Sequence, residues 1–205
     1  MHIGVDFDNT LVSYDALFYR CARERRLIPA ELTPTKAAVR EWLWRQPEGN
    51  TVWTQLQGEV YGARMAEAVW FPGADTFLSF CRRRGLAVFI ISHKLKYPAL
   101  GPRVNLREAA LSWMETHGFF SPGGFGLESA AVCFEDSREH KLERIGERQC
   151  TCFIEDLLEV LSDPAFPSGV IKILFDPAGE VQTPPNGISA FRSWGGIQSY
   201  VETLL

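Results

Sequence analysis

Residues 86–91 read Leu-Ala-Val-Phe-Ile-Ile, an unbroken apolar run that stops at Ser92. A run this short, with no polar alternation, fits a strand covered on both faces, and such strands belong to parallel sheets between layers of helices. The same pattern recurs at residues 2–5, 130–134, 151–154 and 170–175, with a shorter run at 188–191. Between these runs lie segments of helical character at 74–84, 105–117, 137–148, 157–161 and 195–205. Asn105 and Ser137 are placed to cap two of them. Strands alternating with helices of this length predict an α/β fold, a doubly wound parallel sheet with helices on both faces.

One stretch breaks the alternation. Residues 14–70 carry no evident strand and read as three helices, over 16–27, from Thr33 or Thr35 to 44, and over 51–70. Pro29 closes the first, and Pro47-Glu48-Gly49-Asn50 separates the second from the third. Four of the six tryptophans, Trp42, Trp44, Trp53 and Trp70, fall here. At helical spacing, aromatic residues form core more often than they contact substrate. The expected organisation is an α/β core of residues 1–13 and 71–205, with a small helical insertion of residues 14–70 after the first strand.

Composition narrows the function classes. Net charge is −4, and the longest basic run is Arg82-Arg83-Arg84, which argues against nucleic acid as the main partner. No apolar run approaches a membrane span, and the first residues lead straight into a strand, leaving no room for a signal peptide. Five cysteines, an odd number scattered through strand-like and helix-like segments, read as reduced thiols of a cytoplasmic protein. Cys150-Thr151-Cys152 lacks the two-residue gap of a zinc or redox pair.

The chemistry-bearing residues sit where the apolar runs end. Asp6, Ser92 and the pair Glu155-Asp156 each follow a strand-like run. In a doubly wound sheet those ends converge on one crevice. Asp6 and Asp8 are two residues apart, so on extended backbone their carboxylates point to the same side. Two like charges this close call for a cation between them, and magnesium suits oxygen ligands. The alternative for this stretch is an Asp-rich turn in which Asn9 and Thr10 cap the next helix. Lys141, in the helix before the acidic pair, is either a solvated surface residue or a cation aimed at a bound phosphate.

These residues together resemble the haloacid dehalogenase-like hydrolase superfamily, most of whose members are phosphatases. Asp6-Phe7-Asp8-Asn9-Thr10-Leu11 is similar to its first motif, Ser92 to its second, Lys141 to its third, and Phe153-Ile154-Glu155-Asp156 to its fourth. The insertion at 14–70 lies where that family carries a helical cap. Two departures stand out: the acidic pair is Glu-Asp rather than Asp-Asp or Gly-Asp, and Lys94 and Lys96 rival Lys141 for the lysine. Lys141 is preferred because the other two lie in a Pro/Gly-rich loop, where a cation is more often solvated.

The resemblance implies a Rossmann-like core and a magnesium-dependent phosphatase acting on a small phosphate ester. It implies Asp6 as nucleophile and Asp8 as general acid and base. Ser92 and Lys141 would hold the phosphoryl oxygens. Mg2+ would be held by Asp6, the Asp8 carbonyl and Asp156, with Glu155 binding a coordinating water or balancing charge. The family's dehalogenases lack an aspartate at the position of Asp8, so the phosphatase branch is implied. Asn9, Thr10, His93 and Arg64 are candidates for substrate contact, with Tyr14, Trp53 and Tyr61 as further polar-tipped residues of the insertion. Two alternatives stay open at this level, a mutase-like phosphoryl transferase and a catalytically weak binding module.

Overall fold

A computed structural model describes every residue from Met1 to Leu205. In chain order the elements are β1 (His2–Val5), β2 (Val12–Ser13), α1 (Asp15–Glu24), α2 (Lys36–Trp44), α3 (Gly49–Tyr61), β3 (Val69–Trp70), α4 (Ala74–Arg83) and β4 (Ala87–His93). They continue with α5 (Leu106–Thr116), β5 (Val132–Glu135), α6 (Arg138–Glu147), β6 (Cys152–Glu155), α7 (Leu158–Leu161), β7 (Ile171–Phe175), β8 (Ile188–Phe191) and α8 (Trp194–Glu202). Short 3-10 turns cover Met65–Glu67 and Ser129–Ala131.

Six strands form one sheet in the order β5-β4-β1-β6-β7-β8, and every pairing is parallel. The expected α/β sheet is therefore present. From β1 the chain first builds outward through β4 and β5, then returns to the other side of β1 with β6. That reversal, between β1 and β6, is the switch point at which such sheets open a crevice past the strands' carboxyl ends. Val5 pairs with Ile90 on one side and Ile154 on the other, so Asp6, Ile91 and Glu155 stand level across three strands.

The helix starts follow from local chemistry. Asn105 accepts from the N–H groups of Arg107 and Glu108, Ser137 from that of His140, and Ser193 from that of Gly196. Each satisfies a donor that the first helical turn leaves unpaired. Gly4 is required by crowding in the sheet centre, since a Cβ there would stand 2.4 Å from the Phe153 ring and 2.9 Å from Cys150 Sγ.

The chain divides into two compact units. One comprises Met1–Val12, Trp70–Lys94 and Gly118–Leu205; the other comprises Ser13–Val69 and Leu95–His117. The sequence pattern leaves residues 95–117 with the sheet, whereas the structure groups α5 with the helical unit. There α5 buries Leu106, Ala110, Trp113 and Met114, and the Trp113 indole donates to the Ala68 carbonyl at 2.9 Å. A second difference is the end of α3. The helix stops at Tyr61 rather than running to residue 70, because Gly62 leaves helical geometry, and the 3-10 turn and β3 follow. Within this unit Phe18 stacks on Trp53 with centroids 4.8 Å apart, and Tyr14 meets Tyr61 edge-on at 4.8 Å. Trp53 is thus a core residue, as the spacing of the tryptophans implied, and Tyr14, a candidate for substrate contact, is core as well.

All five cysteines are free and buried. Burial pushes the thiols of Cys81, Cys150 and Cys152 up to about 12, so these three remain protonated and unreactive. No helix is long and apolar enough to cross a membrane.

Candidate active site

Six residues other than tyrosine and cysteine are both polar and buried: Asp6, Thr10, Ser92, Lys94, Lys141 and Glu155. All six belong to the sheet unit. Asp6 follows β1, Ser92 lies in β4 with Lys94 just past its end, Glu155 ends β6, and Lys141 sits one turn into α6. Four of them, Asp6, Thr10, Lys141 and Glu155, are joined by ion pairs or hydrogen bonds, and Lys94 pairs with Asp8. Elsewhere the interior is apolar.

The centre is a buried ion triad. Lys141 Nζ donates to Asp6 Oδ1 and to Glu155 Oε2, each at 2.6 Å. The other Glu155 oxygen accepts from the backbone N–H groups of Asp156 at 3.0 Å and Leu157 at 3.1 Å. Both oxygens of this fully buried carboxylate are therefore occupied by protein donors. An ammonium has three hydrogens, so one of those on Lys141 is left for a further acceptor.

Thr10 links the two acidic ends. Its hydroxyl lies 3.4 Å from Asp6 Oδ2 and 3.2 Å from Asp156 Oδ1, and its single hydrogen serves one of them at a time. The loop that presents it is tightly wound. Phe7 O accepts from the N–H groups of Leu11 and Val12, both at 3.1 Å, and Asn9 adopts a left-handed conformation with φ of 61°. The Trp194 indole, at the start of α8, donates to Thr10 O at 3.2 Å and fixes the loop from below. Phe77 and Phe175 pack against Trp194 at centroid distances of 5.0 and 5.4 Å.

A second lysine completes the polar cluster. Lys94 Nζ donates to both oxygens of Asp8, at 3.0 and 2.8 Å. Lys94 was expected to be a solvated loop residue, and it is only 4% exposed. The signal that would have found it was present: Ser92 and Lys94 stand two apart on extended backbone, the same spacing that aligns Asp6 and Asp8. The alternate residue, His93, is exposed, and its Nε2 lies 3.1 Å from the Asp136 carbonyl. Lys96 is exposed in the helical unit, with Nζ 5.6 Å from the Tyr97 ring centroid. Arg64 belongs to that unit as well. It forms ion pairs with Glu24 at 2.6 Å, Glu59 at 3.7 Å and Glu67, which engage its guanidinium.

Burial is the largest influence on Asp6, because it disfavours the charged form. Lys141 opposes the shift and Glu155 adds to it, and the carboxyl stands at about 7. For Lys141, burial works toward the neutral amine, but Asp6 and Glu155 outweigh it and hold the ammonium above its usual range. A carboxyl raised on folding binds its proton more tightly in the folded state. Its contribution to stability therefore falls as pH rises from about 4 to about 7, and is level above that. In metal-free protein, the melting temperature of Asp6→Asn relative to wild type is expected to rise between pH 5 and 7 and then flatten. A difference that stays constant from pH 5 to 8 would mean that Asp6 is ionised throughout.

Asp6, Glu155 and Asp156 offer carboxylate oxygens that all lie within 4.8 Å of one another. Hard oxygen donors at this spacing suit a divalent cation of the magnesium type. Because Glu155 is already satisfied, Asp6 and Asp156 are the carboxylates that fit such an ion best. Asp156 also borders a groove of about 480 Å³, lined in part by Leu157, Leu174, Asp176 and Glu180.

No family model matches the chain, and no curated protein is a significant relative. Solved structures do resemble it over nearly its whole length. A haloacid dehalogenase-superfamily hydrolase from Deinococcus radiodurans, with bound phosphate and sodium, has a TM-score of 0.59 at 15% identity and covers 98% of this chain and 95% of its own. A haloacid dehalogenase-like family protein from Streptococcus pneumoniae has a TM-score of 0.60 at 13% identity, covering 98% and 97%. A protein described as a predicted phosphatase from Clostridium acetobutylicum has a TM-score of 0.60 at 13% identity, covering 98% of both. The chain has the haloacid dehalogenase-like fold.

Proposed function

We propose that the chain is a magnesium-dependent phosphatase that hydrolyses a small phosphorylated metabolite through an aspartyl-phosphate intermediate. The observation that carries this reading is the gathering of all six buried polar and charged residues at one end of the sheet. Desolvated carboxylates and ammonium groups are costly, and their concentration at a switch-point crevice supports a catalytic role. The description of one similar structure as a predicted phosphatase, and the phosphate bound in the Deinococcus protein, agree with this class of substrate.

In this mechanism an Asp6 carboxylate oxygen attacks phosphorus, and the bond from phosphorus to the leaving oxygen breaks while Asp8 supplies a proton. Water then attacks the phosphoryl group on Asp6, Asp8 takes the water proton, and phosphate leaves with the Asp6 carboxylate restored. Lys141 turns its remaining hydrogen toward the transferring phosphoryl group, and Ser92, buried near the carboxyl end of β4, supplies a hydroxyl. Asp6, the Asp8 main chain and Asp156 would hold magnesium, which when bound offsets the charge on the carboxylates and phosphoryl oxygens. Glu155, with both oxygens engaged, balances Lys141. Five free buried thiols fit a cytoplasmic setting.

The test is release of inorganic phosphate by purified protein from an aryl phosphate and from a panel of sugar, nucleotide and organic-acid phosphates. Turnover is expected with magnesium and is expected to disappear with a chelator. No release from any substrate would overturn the proposal. Isomerised product in place of free phosphate would make the protein a phosphoryl transferase.

A further inference from the structure

The chemistry above assigns nothing to Lys94, yet Lys94 is as buried as the residues it does use. Three separate constraints place it. Its backbone N–H donates to Glu135 O at 2.9 Å, directly after the last paired residues of β4 and β5, His93 and Glu135. Its ammonium lies 5.6 Å from the centroid of Phe7, a fully buried ring that meets Phe134 edge-on. The ammonium also donates to both oxygens of Asp8. The Asp8 side chain is 19% exposed and that of Lys94 only 3%, so the lysine bears most of the desolvation in this pair. An apolar side chain in its place would avoid that cost. The arrangement is explained if the orientation of Asp8 is what Lys94 supplies.

We propose that Lys94 is a positioning residue that holds Asp8 as the carboxylate base for the second half of the reaction. This inference rests on the phosphatase reading. In that half-reaction a water oxygen bonds to phosphorus, the bond from phosphorus to the Asp6 oxygen breaks, and the electron pair returns to the Asp6 carboxylate. The water proton passes to Asp8. With both oxygens accepting from one ammonium, Asp8 is fixed in rotation. With an activated ester the leaving oxygen departs without a proton from Asp8, so only the second half of the reaction depends on how Asp8 is held. The effect of Lys94 is therefore expected on hydrolysis of the intermediate rather than on its formation from an activated ester.

The experiment uses 4-nitrophenyl phosphate, whose leaving group needs little protonation, with magnesium and the full chain. Lys94→Met is expected to lower kcat by about tenfold to a hundredfold. KM is expected to fall in parallel, so that kcat/KM stays within about threefold of wild type. Acid-quenched protein should then show a larger fraction carrying one added phosphoryl mass, and Lys94→Arg should recover most of kcat. A purely structural lesion removes active molecules, lowering kcat and kcat/KM alike without accumulation of phosphoprotein. That outcome overturns the proposal, as does unchanged kcat. A loss confined to kcat/KM, through raised KM, also overturns it and makes Lys94 a substrate contact. Lys94→Gln, which keeps a polar group in the same space, provides the same readout if Lys94→Met is insoluble. A wild type that releases no phosphate overturns the phosphatase reading itself, whereas an active wild type with an unaltered Lys94→Met overturns only the role of Lys94.

Discussion

Asp6→Asn is expected to reduce phosphate release to below about a thousandth of wild type while leaving the protein folded. The two side chains are nearly isosteric, but the amide is neither charged nor a competent nucleophile toward phosphorus. Loss of a group on which the covalent intermediate forms costs orders of magnitude in turnover. The fold should tolerate the change, because Lys141 keeps its ion pair with Glu155 and because burial disfavours the charged form of the carboxyl being replaced. Turnover and far-ultraviolet circular dichroism of the same preparation check the two halves of this expectation. A folded variant with more than about a tenth of wild-type turnover would remove Asp6 from the nucleophile's role.

The second large effect is expected at Lys141. Lys141→Met preserves much of the side chain's volume but leaves Asp6 and Glu155 facing each other without their shared cation. Breaking a buried ion pair from one side costs about 3–5 kcal/mol, because a desolvated charge is left uncompensated. Denaturant unfolding of metal-free protein should show that loss. Turnover with magnesium is expected to fall by at least about a hundredfold, since a fixed cation no longer meets the charge on the transferring phosphoryl oxygens. Magnesium should recover part of the stability by meeting the same carboxylates, but it should not recover the rate. Wild-type stability together with near-normal turnover would make Lys141 scaffold, and the cation of the reaction would then be Lys94.

Much of this site was legible before any coordinates, for one physical reason. Strands buried on both faces carry few polar residues, so Asp6, Ser92 and Glu155 are conspicuous at the points where apolar runs end. Lys141 was legible through its place before β6, and its ammonium lies against Asp6 and Glu155. What escaped was the geometry that sequence distance hides. Lys94 looked like a loop residue because Pro98, Gly101 and Pro102 follow it, yet β4 continues through His93 and carries Lys94 inward. The support of Thr10 by Trp194 joins positions far apart in the chain, and nothing local announces it. The place of α5 was hidden for a related reason: an amphipathic pattern shows that a face is buried, not which neighbour buries it. Arg64, a natural candidate for an anionic substrate, proved to be engaged by glutamates brought together only by folding.

The sheet order has a consequence for how the protein comes into being. β1 precedes every other strand of the sheet in the chain, yet its two neighbours are β4 and β6, the latter beginning at residue 152. During synthesis Asp6 is therefore made well before Lys141 and Glu155 exist to surround it. Pairings this distant in sequence close slowly, because the entropy of a long loop is lost before any contact repays it. The centre of the sheet is consequently a late product of folding, and the carboxylate at its heart stays solvated, ionised and without its partners until β6 docks.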